Sequence, residues 1–156
     1  MTGRNGGTET VHASAVAIGD DGILIRGPSG AGKSTLAREL LQLAAIAGRD
    51  VALVADDRVV LSRAGGGVVA APHPAGAGLL EVRGVGIARV PFRREARLTL
   101  VVDLSADEPP RLPADADRVV PLLGVPVPRI VAARPGNALL VLWRLSVDDD
   151  VFVTAY

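Results

Sequence analysis

The sequence predicts one α/β domain built on a mixed sheet, and three observations carry that prediction. A short strand runs directly into the glycine-rich stretch GPSGAGKS, Gly27 to Ser34, and a helical pattern follows it. A continuous apolar run, VALVA at 51 to 55, has the character of a strand buried on both faces and ends in Asp56 and Asp57. Beyond residue 58 the chain is rich in short strand-like runs punctuated by glycine and proline. The length, 156 residues, fits one domain with a real core and is too short for two independent folds.

In chain order, the first ten residues are polar and glycine-rich and are expected to lack fixed structure. HASAVAI, His12 to Ile18, reads as a strand, GDDG at 19 to 22 as a turn, and ILIR at 23 to 26 as a second strand. Together they predict an antiparallel hairpin that leads into the glycine loop. From Lys33 to Ala47 the apolar Leu36, Leu40, Leu43, Ala44 and Ala47 recur at three- and four-residue steps, and Gly48 is a C-terminal stop. That is an amphipathic helix of about four turns. Further strands are expected at 58 to 62 and 67 to 71, joined through AGGG, then at 79 to 83, 97 to 104, 127 to 133 and 138 to 145. Residues 71 to 78, APHPAGAG, and 105 to 117, where proline and acidic residues exclude regular structure, read as loops. The domain is expected over residues 11 to 146, with 147 to 156 as an acidic tail.

Composition narrows the function classes. Hydrophobic residues make up 49% and charged ones 22%, a globular balance, and no apolar run reaches the roughly eighteen residues a bilayer requires. The N-terminus lacks the basic flank and apolar core of a signal peptide, and the absence of cysteine excludes disulfides and thiolate metal sites; a cytoplasmic protein is expected. Seventeen basic and seventeen acidic side chains cancel, and no basic and aromatic stripe suggests a nucleic-acid partner. The only lysine in the chain is Lys33, inside the glycine loop. A slim stem with a compact ammonium reaches along a phosphate chain where a planar guanidinium does not fit.

Strand, GxxxxGKS and helix make a P-loop in its proper context, so the domain is expected to be P-loop NTPase-like. Gly27, Pro28, Ser29, Gly30, Ala31, Gly32, Lys33, Ser34 and Thr35 form the expected nucleotide-binding set. Glycines let backbone N–H groups turn inward around phosphates, and the helix aims its positive end at them. Lys33 is expected on the terminal phosphates and the Ser34 hydroxyl on magnesium. An apolar strand ending in Asp56 has the form of a Walker B element. In a regular strand Asp56 and Asp57 diverge, while at a strand end either one can turn to the site, one for metal and one for a proton. His12, at a strand start, is placed near the phosphates by the expected hairpin. In LLEVRGVGI, 79 to 87, Glu81 and Arg83 share a face of the expected strand and glycines allow close backbone approach.

His12-Ala13, the P-loop, ADDRV at 55 to 59, LLEVRGVGI and GVPVPRI at 124 to 130 together resemble the catalytic domain of HPr kinase/phosphorylase, in a short form without the N-terminal domain. The order and approximate spacing fit from residue 11 to about 140, and LLEVRGVGI is the most specific element. The resemblance implies a core similar to the nucleotide-binding core of phosphoenolpyruvate carboxykinase. It implies a kinase that uses ATP or pyrophosphate with Mg2+ to phosphorylate a serine of the phosphocarrier HPr of the sugar phosphotransferase system. The reverse phosphorolysis takes inorganic phosphate and yields pyrophosphate. By the same resemblance Asp56 is the proton acceptor and, in reverse, the donor, with His12 tuning it; Ser34, Asp57 and Glu81 form the magnesium site; Lys33 and Arg111 act in catalysis. A homo-oligomer, a hexamer in the family, is also implied. Two other readings stay open on the residues alone: a small-molecule P-loop kinase, and a nucleotide-sensing module that transfers nothing.

Overall fold

The computed structural model describes residues 7–133 and 137–148. The strands are β1 (Thr8–His12), β2 (Ser14–Ile18), β3 (Asp21–Arg26), β4 (Val51–Ala55), β5 (Arg58–Ala64), β6 (Gly67–Pro72), β7 (Leu79–Val82), β8 (Gly86–Arg89), β9 (Ala96–Leu104), β10 (Val119–Leu122) and β11 (Val125–Ala132), with helices α1 (Lys33–Ile46) and α2 (Ala138–Leu145). The order β1-β5-β6-β9-β3-β2-β4 makes one curled mixed sheet, as the α/β reading requires. The long strand β9 holds it together: its first residues pair antiparallel with β6, and further along it pairs parallel with β3 and β11. Strands β7 and β8 form a separate hairpin.

Two apolar layers result from this curl. Alternate residues of β3 divide between them: Ile23 and Ile25 join Leu36, Leu40 and Ala44 of α1, while Leu24 joins Val59 and Leu61 of β5. Because β3 is covered on both faces, the strand feeding the glycine loop is buried and rigid, as a loop that must present backbone donors requires. Helix α1 ends where expected: Gly48, at φ 74°, and Arg49 return their N–H groups to Ala45 and Ala44. That pair of bonds is a Schellman stop. The AGGG connection is a tight turn between β5 and β6, with Gly65 and Gly66 both at positive φ.

Four expectations change. The run 12–18 is two strands, with His12 closing β1 against Arg58 of β5 and only Ser14 to Ile18 forming the hairpin with β3. The chain changes layers at Ala13, whose N–H is taken by the Asp57 carbonyl at 3.2 Å. Residues 8–10, expected to lack fixed structure, are in β1, because β5 offers an open edge to pair with. Residues 1–6 and nearly all of the expected acidic tail lie outside the described residues. Residues 138–145 are the helix α2, not a strand: in ALLVLWRL every residue but Arg144 is apolar, so the pattern leaves little period to read, and the helix buries Ala138 and Val141 at helical spacing while Leu139 and Trp143 stay exposed. Finally, β7 ends at Val82, so Arg83 stands in the hairpin turn and does not share a strand face with Glu81.

Just before the glycine loop, Arg26 donates twice to Asp103 of the neighbouring β9, at 2.7 and 2.8 Å, and Arg129 of β11 donates to the same carboxylate at 2.5 Å. Burial pushes the Asp103 carboxyl up, but the hydrogen bonds and charges of Arg26 and Arg129 outweigh it and hold it below the usual carboxylate range. A depressed carboxylate contributes stability above its unfolded value, about 4, and that contribution is lost as pH falls through the folded value. Asp103→Asn is therefore expected to cost about 2–3 kcal/mol at pH 7, read from the urea midpoint, and to flatten the acid loss of stability below about pH 4. An unchanged midpoint would show that this cluster does not hold the three parallel strands together.

Candidate active site

The glycine loop closes over the C-terminal end of β3. Gly27 has φ 158°, and a Cβ there would lie 3.1 Å from both the Cβ and the carbonyl oxygen of Leu104, so only glycine lets the loop pass β9 this closely. Gly32, at φ 96°, is the N-cap of α1 and makes no side-chain cap bond, which leaves the first N–H groups of the helix available to an anion. Lys33 Nζ folds back onto the loop, donating to the carbonyls of Gly27 at 2.9 Å and Pro28 at 3.1 Å. That holds its ammonium over the concave side of the loop.

Strand β4 brings Asp56 to the same place. Asp56 Oδ1 accepts hydrogen bonds from Ser34 Oγ at 2.8 Å and from Ser14 Oγ at 2.6 Å, and Oδ2 accepts the Glu81 N–H at 3.2 Å. The two aspartates do not diverge as strand residues would. Arg58 N–H donates to the Asp56 carbonyl two residues back, around an Asp57 whose φ is 68°. This is a γ-turn with a positive-φ centre, a conformation that side-chain-bearing residues rarely hold. It turns both carboxylates onto one cavity, which is also lined by His12, Ser14, Gly27, Pro28, Ser29, Gly30, Gly32, Lys33, Ser34, Thr35, Glu81 and Arg83. The cavity volume is about 790 Å³. His12 Nδ1 stands 3.8 Å from Asp57 Oδ1 with both side chains largely exposed, a pair that adds little to stability.

The expected site residues are thus largely brought together. The exceptions are Arg111, which sits exposed in the loop after β9 and does not line the cavity, and Ala31, whose contribution is a loop bond from its N–H to the Pro28 carbonyl at 3.1 Å. Two residues without an assigned role in the sequence reading line the cavity: Arg83, carried there by the hairpin turn, and Ser14. A lone hydroxyl inside the otherwise apolar ASAVAI was the available signal for Ser14. Ser34 Oγ and the carboxylates of Asp57 and Glu81, which line this cavity, are hard oxygen donors, which suits magnesium. Among the described residues no three His, Asp or Glu side chains form a group that would by itself hold a metal ion.

A buried strand, a P-loop and a carboxylate bonded to the P-loop serine define a P-loop-like α/β domain. A family model described as HPr Serine kinase C-terminal domain matches residues 6–142, and the chain belongs to that family. It is similar to the HPr kinase/phosphorylase of Bordetella pertussis, 39% identical over 92% of this chain and 49% of the relative. The enzyme of the same name from Brevibacillus brevis is 34% identical over 89% of this chain and 47% of the relative. The chain spans about half the length of the curated relatives it matches. The solved Hpr(Ser) kinase/phosphatase from Coxiella burnetii superposes with a TM-score of 0.70 at 25% identity, covering 88% of this chain and 97% of that one.

Proposed function

We propose that this domain transfers the terminal phosphoryl group of ATP, with magnesium, to a serine of HPr or a related phosphocarrier, and returns it to inorganic phosphate as pyrophosphate. The observation that carries the reading is the Asp56 carboxylate, hydrogen-bonded to the P-loop Ser34 and set in the same cavity as Lys33. Lys33 exchanges the carbonyls of Gly27 and Pro28 for phosphate oxygens, which costs little because both arrangements satisfy the ammonium. Ser34, with Asp57 and Glu81, would hold magnesium, which when bound neutralises charge on the transferred group. Asp56 takes the serine proton, with its Oδ2 lone pairs less committed than those of Oδ1. In the reverse direction the same oxygen returns the proton to the leaving serine oxygen. His12 tunes this step from beside Asp57. Arg83 lines the cavity and adds a second cation for the phosphoryl oxygens.

A protein acceptor, rather than a small molecule, is favoured by the β7–β8 hairpin at the rim, whose Val85 and Ile87 are 82% and 73% exposed. Apolar side chains offered beside a polar cavity suit a folded partner. Arg111 would join from its exposed loop on docking of HPr or of a neighbouring copy in a homo-oligomer. Labelled ATP, magnesium and HPr from the same organism are expected to give label on one HPr serine, mapped by mass spectrometry, and inorganic phosphate is expected to remove it with release of pyrophosphate. ATP binding without label on HPr would reject the acceptor and favour a nucleotide-sensing module.

A further inference from the structure

We propose that Ser14 is a positioning residue of the transfer site, holding the Asp56 carboxylate in the orientation that accepts the proton. The inference rests on Asp56 being that acceptor. Among the described residues Ser14 is the one polar side chain in the buried core, 0% exposed, and its only side-chain hydrogen bond is the one to Asp56 Oδ1. At 2.6 Å this bond is shorter than the 2.8 Å bond that Ser34 Oγ makes to the same oxygen.

The two hydroxyls have different obligations. Ser34 belongs to the first turn of α1, and its oxygen is the one that would be shared with magnesium. Ser14 belongs to β2 and has no second duty, so it anchors Asp56 whether or not the site is loaded. Its backbone setting supports this role. The start of β2 grips the Asp56–Asp57 turn twice, once through Ala13 N–H on the Asp57 carbonyl and once through Ser14 Oγ on the Asp56 carboxylate. A shift in the β2–β4 register between Ala15 and Val16 follows at once, so ladder pairing is interrupted next to the position where the hydroxyl is needed. With Oδ1 held by two hydroxyls, rotation of the carboxylate is stopped, and Oδ2 is left to take the proton.

A purely structural serine would satisfy a half-buried carboxylate and nothing more, and the test separates the two. Ser14→Ala in the full chain, assayed with labelled ATP, magnesium and HPr, is expected to lower kcat roughly 10–100-fold while the KM for ATP moves less than about twofold. Ser14→Thr keeps the hydroxyl and is expected to recover most of the rate. In an Asp56→Asn background Ser14→Ala is expected to cost less than about twofold further, because the carboxylate it positions is gone. An unchanged kcat in Ser14→Ala overturns the proposal, and so does an equal loss in the Asn background or an equal loss in the Ala and Thr variants. Should Ser14→Ala fail to fold, Ser14→Cys replaces it: the weak thiol donor is expected to fall well below Ser14→Thr in kcat, and equality of the two overturns the proposal. If Asp56→Asn alone leaves turnover unchanged, the assignment of Asp56 fails, an outcome distinct from a failure at Ser14.

Discussion

Asp56→Asn is expected to lower kcat for serine phosphorylation by about 10²–10⁴-fold, the range spanned by losing a positioned general base. The substitution keeps the shape of the side chain and its Oδ1, so the donors Ser14 Oγ and Ser34 Oγ retain their acceptor. One neighbour is disturbed, since the Glu81 N–H would meet an amide NH2 in place of Oδ2. Because Lys33 and the glycine loop are untouched, affinity for ATP, measured by titration calorimetry, is expected to stay within about threefold, a difference under about 0.7 kcal/mol. Phosphorolysis should fall by a similar factor, since the same oxygen handles the proton in both directions. Retained turnover in both directions would remove Asp56 as the base.

The second large effect is at Lys33. Lys33→Ala removes the only ammonium side chain of the chain and two charge-assisted contacts that phosphate oxygens would inherit from Gly27 and Pro28. At about 1.5 kcal/mol for each, ATP affinity is expected to fall roughly a hundredfold. Lys33→Arg should recover little of it, because a planar fork does not follow the path of the slim lysine stem beneath the loop. The fold should survive, since Lys33 is only partly buried at the start of α1 and its bonds reach carbonyls at the surface of the loop. Unaltered binding would show that phosphates are held elsewhere.

The sequence reading of the fold succeeded where structure is local. Helix α1 and its stop at Gly48, the β2–β3 hairpin, the tight turn at Gly65-Gly66 and the buried strand β4 each follow from periodicity or turn residues within a dozen positions. It failed where neighbours decide. Strand β1 exists because β5 presents an edge to it, and β8 and β10 exist because a hairpin partner lies alongside. Helix α2 is hidden because an octapeptide whose one charged residue is Arg144 shows little period, and its packing against α1 selects a helix.

The site divides in the same way. The spacing of Gly27, Gly32, Lys33 and Ser34 determined by itself that a P-loop lies at the end of a strand, because every group involved lies within one loop and the first turn of one helix. The tertiary structure decided the rest: that both Asp56 and Asp57 face the cavity, that Glu81 contributes a backbone N–H, that Arg83 arrives through a turn, and that Ser14 grips Asp56. Those contacts join residues 25 and 42 positions apart in the chain. Such pairings are set by sheet register and by a γ-turn that strand alternation would forbid, and neither is written in any short stretch of residues.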